Sequence, residues 1–371
     1  VRIDRNGDDN AARNLRGART YSVMPPGGKH DRLFVDVPEG AGELNLQLSV
    51  YGPANFRLLR TEAGPGPFVP AAPAGAELMA QFERNQSGEF VYPNPPAGRW
   101  YLEVTNFGSA DLEYNVTASF SPEANAAPIA RGSYFNPTRS GHGLFLYPAG
   151  DQLAGLWYTY LQDGTPTWYY LQGFDGGTAG YWFAELYRSN WEDTANRLTR
   201  VGTAIVNPHP EGLVFSYSLD GEQGSELLQL FGAGCPTLAG QPLDASSHWF
   251  DPARAGTGYS VQLFPDYEFY AAFVYDSRGV ARFLTSEAGS FRGADATLAL
   301  EQLTGFCPLC TRTGAPLRAD VGTLRRRFDA TGLVQMQLDA IYTGGVPGAW
   351  TGNDLVQTLG GPGTTQGCPA P

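Results

Sequence analysis

The side chains able to do chemistry are few and poorly grouped. Histidine occurs four times, at His30, His142, His209 and His248. No pair stands at H-x-x-x-H spacing, so the two-imidazole zinc site of a metalloprotease helix is missing. Ser140-Gly141-His142-Gly143 sets a hydroxyl two residues from an imidazole, without the G-x-S-x-G turn that exposes a hydrolase nucleophile. Asp4-Arg5-Asn6-Gly7-Asp8-Asp9 gathers oxygen ligands, but an EF-hand loop needs Gly at its sixth position and Glu at its twelfth, where this chain has Asp9 and Leu15. A solvated acidic lead-in is the favoured reading. No cofactor is expected, and calcium at this segment is the one metal left open. No catalytic constellation is recognisable, which favours a binding region over an enzyme and leaves the enzyme question open.

The cysteines are Cys235, Cys307, Cys310 and Cys368. A zinc site at Cys307-Pro308-Leu309-Cys310 needs two more ligands at matching spacing, and a thioredoxin-like pair needs a surrounding βαβ pattern. A local Cys307–Cys310 disulfide is therefore favoured over other pairings and over metal or redox chemistry. Cys235 and Cys368 are left to pair with each other. An even cysteine count in a chain with few charges and many turns points to an oxidising compartment.

The elements that position these groups are β-strands. Glycine numbers 47 and proline 28, which leaves little room for long helices, and no apolar run approaches the ~20 residues of a membrane span. Leu44, Leu46, Leu48 and Val50 alternate with Asn45, Gln47 and Ser49, the pattern of a half-buried strand. The net charge of −12 argues against nucleic acid as a partner. The one basic run, Arg325-Arg326-Arg327, reads as a strand with outward arginines. The chain begins at Val1 with no initiator Met or apolar leader, as a mature product or a fragment would.

An internal duplication is the strongest signal. Tyr134-Phe135-Asn136-Pro137-Thr138-Arg139-Ser140-Gly141-His142-Gly143 matches Trp249-Phe250-Asp251-Pro252-Ala253-Arg254-Ala255-Gly256-Thr257-Gly258. Tyr160 and Tyr275, Gly164 and Gly279, and Trp168 and Phe283 keep the same offset of 115 residues, whereas Val201 and Val321 are 120 apart. The second copy thus gains five residues in the interval that carries Cys307 and Cys310. The shared glycines read as tight-turn or bulge positions, and Thr257 opposite His142 argues against a catalytic Ser140/His142 dyad.

Aromatic residues crowd the first copy, including Trp157, Tyr158, Tyr160, Trp168, Tyr169, Tyr170, Trp182 and Trp191. The second copy has Phe283 for Trp168 and Thr285 for Tyr170. A core common to both copies keeps size and apolarity at matched positions. Trp168, Tyr170 and Trp182 are accordingly the candidate ligand-binding platform, set against the alternative that they fill a barrel core.

Leu33 to Leu48, then Pro96-Ala97-Gly98-Arg99-Trp100-Tyr101-Leu102-Glu103-Val104 and Tyr114-Asn115-Val116, resemble the prepeptidase C-terminal domain, a small β-sandwich of secreted bacterial proteases. The family's G-D-x-D-L-Y-V stretch is replaced by Ala54-Asn55-Phe56-Arg57-Leu58-Leu59, which puts any acidic cation site of the family in doubt here. The duplicated segments resemble an aromatic- and glycine-rich tandem repeat of secreted proteobacterial proteins.

The resulting expectation is an all-β chain: a polar lead-in over 1–20, a β-sandwich over 21–120, a linker over 121–130, antiparallel meander barrels over 131–240 and 245–361, and a tail over 362–371. The function expected is a non-catalytic extracellular binding or accessory region of a secreted bacterial protein, with polysaccharide or an extracellular protein surface as partner. The alternatives are the C-terminal region of a secreted subtilisin-like serine protease whose catalytic domain lies outside this chain, and a self-assembling surface or matrix protein. Oligomeric state is left open.

Overall fold

A computed structural model describes residues 13–15, 20–37, 40–61, 71–121, 129–174, 181–209, 211–310, 314–329 and 332–368. Strands dominate, and among the described residues the helical element is one 3-10 turn, Pro252–Arg254. No helix is long and apolar enough to cross a membrane. The chain forms two compact units, Val1–Ile129 with Gly176–Phe183 and Ala204–Leu227, and Ala130–Asp175 with Ala184–Thr203 and Leu228–Pro371.

The N-terminal strands build a sandwich. One sheet orders Arg13–Asn14, Lys29–Val37, Gly98–Asn106, Ala54–Thr61 and Glu77–Arg84; the other orders Thr20–Met24, Leu112–Ser121, Glu43–Tyr51 and Gly88–Pro93. Period-two side chains of both sheets meet in one core, where Leu44, Leu46, Leu48 and Val50 pack with Phe56, Trp100, Leu102 and Tyr114. The sandwich starts earlier than the apolar alternation suggested: Arg13–Asn14 pairs with Leu33 and Phe34, and Leu15 is in the core. Phe34, the apolar residue on the second face, packs with Leu59 and Tyr101. Beside it Arg99 grips Asp36 through two bonds of 2.8 and 3.0 Å and reaches Ser225 Oγ at 3.3 Å.

Each copy of the duplication is an eight-stranded meander. The first closes as Gly132–Phe135, Gly143–Ala149, Gln152–Tyr160, Pro166–Phe174, Trp182–Glu192, Ala195–His209, Gly212–Leu219 and Glu222–Leu230. The second runs Ser247–Phe250, Gly258–Phe264, Tyr267–Tyr275, Ala281–Ser286, Asp295–Thr304, Leu317–Asp329, Gly332–Ile341 and Ala349–Leu355. Immediately after its last strand, Gln357–Thr358 pairs back onto Trp249 and Phe250, so this ring is also completed. Sequential hydrogen-bonded neighbours leave few open edges, which limits uncontrolled pairing with other chains.

The second barrel has an apolar interior of Tyr259, Val261, Tyr270, Ala272, Leu284, Leu324 and Leu338. A buried ion pair sits within it. Arg326 Nη2 and Nε donate to Glu268 Oε2 at 2.6 and 2.9 Å, and the Tyr270 hydroxyl donates to the same oxygen at 2.8 Å. Arg326 is 0% exposed, which corrects the expectation that all three arginines of the run face outward. The period-two alternation sends Arg325 and Arg327 to solvent and Arg326 inward, where the carboxylate compensates its lost hydration. Both disulfides are present, Cys307–Cys310 and Cys235–Cys368, and no described cysteine is free.

Candidate functional site

The proposed platform is not an exposed surface. Trp168 is 4% exposed, its ring 5.6 Å from Phe273 and 5.9 Å from Tyr275, with its indole N–H directed at the Val274 carbonyl 3.4 Å away. Trp182 is 0% exposed, and Tyr170 is half-buried with its ring 6.4 Å from Tyr187. For Trp168 and Tyr170 the cause lies in the outward faces of the two copies. Phe145, Tyr147, Tyr158, Tyr160 and Trp168 of the first barrel pack against Ala271, Phe273, Tyr275, Ala281 and Phe283 of the second in one aromatic cluster. Strands at this seam are buried on both faces, one toward their own barrel and one toward the other copy. Trp168 and its counterpart Phe283 both lie in that cluster, Trp168 against Phe273 and Tyr275, Phe283 against Tyr158 and Tyr160.

The seam is approximately two-fold. Gly305 N–H donates to the Gly164 carbonyl at 3.0 Å, and Trp191 N–H donates to the Gly279 carbonyl at 2.8 Å. The 115-residue offset that relates Gly164 to Gly279 also relates Tyr160 to Tyr275, and both tyrosines belong to the shared cluster. Several polar groups within the seam are paired, while the buried Tyr160 hydroxyl has no hydrogen-bond partner among the described residues. Tyr147 Oη donates to the Val261 carbonyl at 2.9 Å, and Arg282, held by Asp276, donates to the Pro166 carbonyl at 3.1 Å.

Two histidines are buried here. His142 Nδ1 contacts Thr159 Oγ1 at 2.9 Å, and burial together with the Arg139 charge pushes its pKa down to about 3. His248 contacts Ser260 Oγ at 2.7 Å and the Ala154 carbonyl at 3.0 Å, and burial pushes it down to about 4. Both are neutral hydrogen-bonding parts of the seam at pH 7. His142 is thus directed at Thr159, as a structural role for Ser140-Gly141-His142-Gly143 requires.

The repeat's signature loops occur at corresponding places on the two sides of the seam. In the first copy Asn136 Oδ1 accepts from Thr138 N, and in the second Asp251 Oδ1 accepts from Ala253 N. Arg139 and Arg254 follow one residue later, each with its N–H on the carbonyl of Asn136 or Asp251. Gly141 and Gly256 both have positive φ, +88° and +103°, a conformation that disfavours a side chain.

What faces the two loops differs. The Arg139 guanidinium donates to the Cys307 carbonyl at 2.8 Å and to the Pro308 carbonyl, so the disulfide-closed loop of the second copy covers it. Opposite Arg254 the first copy has only the tight turn between Glu192 and Ala195. A cavity of about 440 Å³ remains there, lined by Trp191, Thr194, Ala195, Asn196 and the Pro252–Gly256 loop. Ser189 Oγ lies 2.6 Å from Asn196 Oδ1 and 2.5 Å from Tyr275 Oη, while Tyr275 Oη donates to the Gly256 carbonyl at 2.8 Å. One end of the Asn196 amide is pinned by these hydroxyls. Trp191 packs on Tyr275, with ring centroids 5.6 Å apart. Arg254 is anchored by Asp354 at 2.7 Å and lies over Trp350, its guanidinium carbon 5.0 Å from the ring centroid.

This arrangement can bind and has no nucleophile–base pair. Sequence reasoning included Trp191 in its aromatic set and Arg254 in its repeat motif, but it missed Asn196 and the cleft. The available signal was the five-residue difference between copies, which lengthens one loop and leaves its counterpart short. The calcium candidate Asp4–Asp9 lies outside the described residues. Among the described residues, Cys235, Cys368 and Asp244 come within metal-binding distance of one another, and the two sulfurs are joined to each other.

No protein-family model and no curated protein matches the chain. Among solved structures, a de novo designed double-stranded β-helix is 16% identical, covering 28% of this chain and 99% of its own, at a TM-score of 0.18. The Aeromonas hydrophila periplasmic inhibitor of g-type lysozyme, PliG, is 16% identical, covering 32% of this chain and 95% of its own, at a TM-score of 0.19.

Proposed function

We propose that this chain is a non-catalytic binding or accessory region of an extracellular bacterial protein. The observation that carries the reading is the cleft between Trp191–Asn196 and Pro252–Gly256. It is lined by Trp191, the pinned Asn196 and the loop carrying Arg254, with a volume of about 440 Å³, within the range common for ligand sites. Two disulfides suit an oxidising compartment. The proposed partner is a polysaccharide or an extracellular protein surface. The test is co-sedimentation of the purified chain with insoluble polysaccharides and fibrous proteins. Saturable retention on one of them supports the reading. Uniform failure, with self-association in sedimentation velocity, favours the surface-assembly alternative.

The sandwich gives the protease-tail alternative its own support. Gly98–Asn106, which carries most of the stretch resembling the prepeptidase C-terminal domain, lies between two other strands, with Trp100 and Val104 in the core. The encoded sequence upstream of Val1 decides between them: an Asp/His/Ser protease domain there makes this the protease's trailing region, and a secretion signal directly before Val1 makes it free-standing.

A further inference from the structure

The two signature loops present the same local geometry to different surroundings, and the covered one shows what the open one accommodates. The 115-residue offset places Trp191 opposite Phe306, and the 120-residue offset places Asn196 opposite Pro316. The structure respects the second; at the first, Trp191 takes the place of Gly305, each donating its N–H to the matched glycine carbonyl, Gly279 or Gly164. A Cβ on Gly141 would lie 2.8 Å from Pro316, and one on Gly256 would lie 2.5 Å from Asn196. Each loop therefore abuts the hairpin of the opposite copy at equivalent positions. Between those positions the second copy carries its extra residues with the Cys307–Cys310 turn, whose backbone carbonyls bind Arg139. The first copy lacks those residues, and the cleft occupies their place.

We infer that the open cleft is a peptide-binding site, receiving from another protein a compact turn whose backbone carbonyls face Arg254 as those of Cys307 and Pro308 face Arg139. This rests on the binding-region reading and narrows it to a protein partner. Several features fit a peptide. Arg254 is anchored through two of its five N–H groups, to Asp354 and to the Thr351 carbonyl, which leaves donors for acceptor oxygens. The turn carries exposed Glu192 and Asp193, and Arg197 lies 3.4 Å from Glu192. An uncharged or basic turn is accepted there more readily than an acidic one. Trp191, packed on Tyr275, supplies an apolar wall.

The chain's own covering loop supplies a probe. A synthetic, oxidised peptide with the sequence from Gly305 to Pro316 is titrated into the 15N-labelled protein while amide shifts are followed. The expected result is saturable shifts over 191–196 and 252–256, with a Kd of about 1 mM or tighter. Thr194→Trp, an exposed position at the cleft rim, should weaken binding at least tenfold with unchanged shifts elsewhere. The reduced, linear peptide should bind more weakly. No shifts at 5 mM peptide, or equal binding by Thr194→Trp, would overturn the inference. Shifts at these residues from cellohexaose or chitohexaose but not from the peptide would also overturn it, leaving a sugar site. Retention on polysaccharide or fibrous protein that is unaffected by Thr194→Trp would defeat this inference while leaving the binding-region proposal standing.

Discussion

The two barrels share a strand order but stabilise their interiors differently. At the positions where the second holds Glu268 and Arg326, the offsets place Leu153 and Val206 of the first, both buried. The first copy has a buried aliphatic residue at each of these two sequence positions. The second fills them with an ion pair braced by Tyr270 and by the Arg292 N–H, 3.1 Å from Glu268 Oε1. The same backbone plan tolerates either solution because each leaves no buried charge uncompensated. The copies diverge a second time at the seam, where one signature loop is covered and the other faces a cleft. Duplication thus preserves the strands and their contact, while hairpin length decides which side is available to a ligand.

Acid should have the largest effect on this comparison, because each copy contributes one buried histidine to the seam. In the unfolded chain both take up a proton near pH 6.5, whereas in the folded chain His248 resists to about 4 and His142 to about 3. Their folded pKa values are depressed, so stability is complete above about pH 6.5 and falls as the pH drops toward 4 and then 3. The full loss should be of the order of 3–4 kcal/mol for His248 and ~5 kcal/mol for His142, at ~1.4 kcal/mol per pH unit. Urea midpoints measured from pH 7.5 to 4 should decline steadily below 6.5; a flat profile would show that these imidazoles do not need to be neutral.

The ion pair comes next. Arg326→Met alone should cost about 3–5 kcal/mol by leaving Glu268 buried without its cation. Adding Glu268→Leu, the residue type of the first barrel, should recover at least half of that loss. A double variant as unstable as the single one would mean that the barrels' interiors are not interchangeable.

The Cys235–Cys368 disulfide brackets the second barrel with a sequence separation of 133. Replacing both cysteines by serine should lower stability by about 2–4 kcal/mol through the freer unfolded chain. Opening Cys307–Cys310 should cost less, since it closes a loop of only three residues. Chemical denaturation of the two paired-serine variants compares them, and a larger loss at the short loop would reverse the order.

Much of the fold was legible because period-two patterning and a constant offset survive in sequence. The alternation of Leu44 to Val50 marks a strand whose apolar side chains enter the sandwich core, and Phe135 with Phe250 marks two copies of one meander. What covers a second face was not legible. Alternation separates Trp168 from Tyr169 but cannot say that Phe273, on another strand more than a hundred residues away, lies against Trp168. Arg326 was misread because its charge suggests water, and its partner Glu268 is 58 residues earlier. The cleft was hidden for a related reason. It exists only where the Glu192–Ala195 turn meets the Pro252–Gly256 loop, and no local pattern encodes that meeting.

The central claim is that the aromatics of the first barrel form a seam with the second. A double-mutant cycle on Trp168→Leu and Phe273→Leu tests it most directly, with each variant's unfolding free energy measured by urea denaturation. The account predicts that the two losses are not additive, with a coupling of about 0.5–1.5 kcal/mol beyond area burial. Additive losses, or a Trp168→Leu variant as stable as the parent, would place the indole outside such a seam and contradict the account.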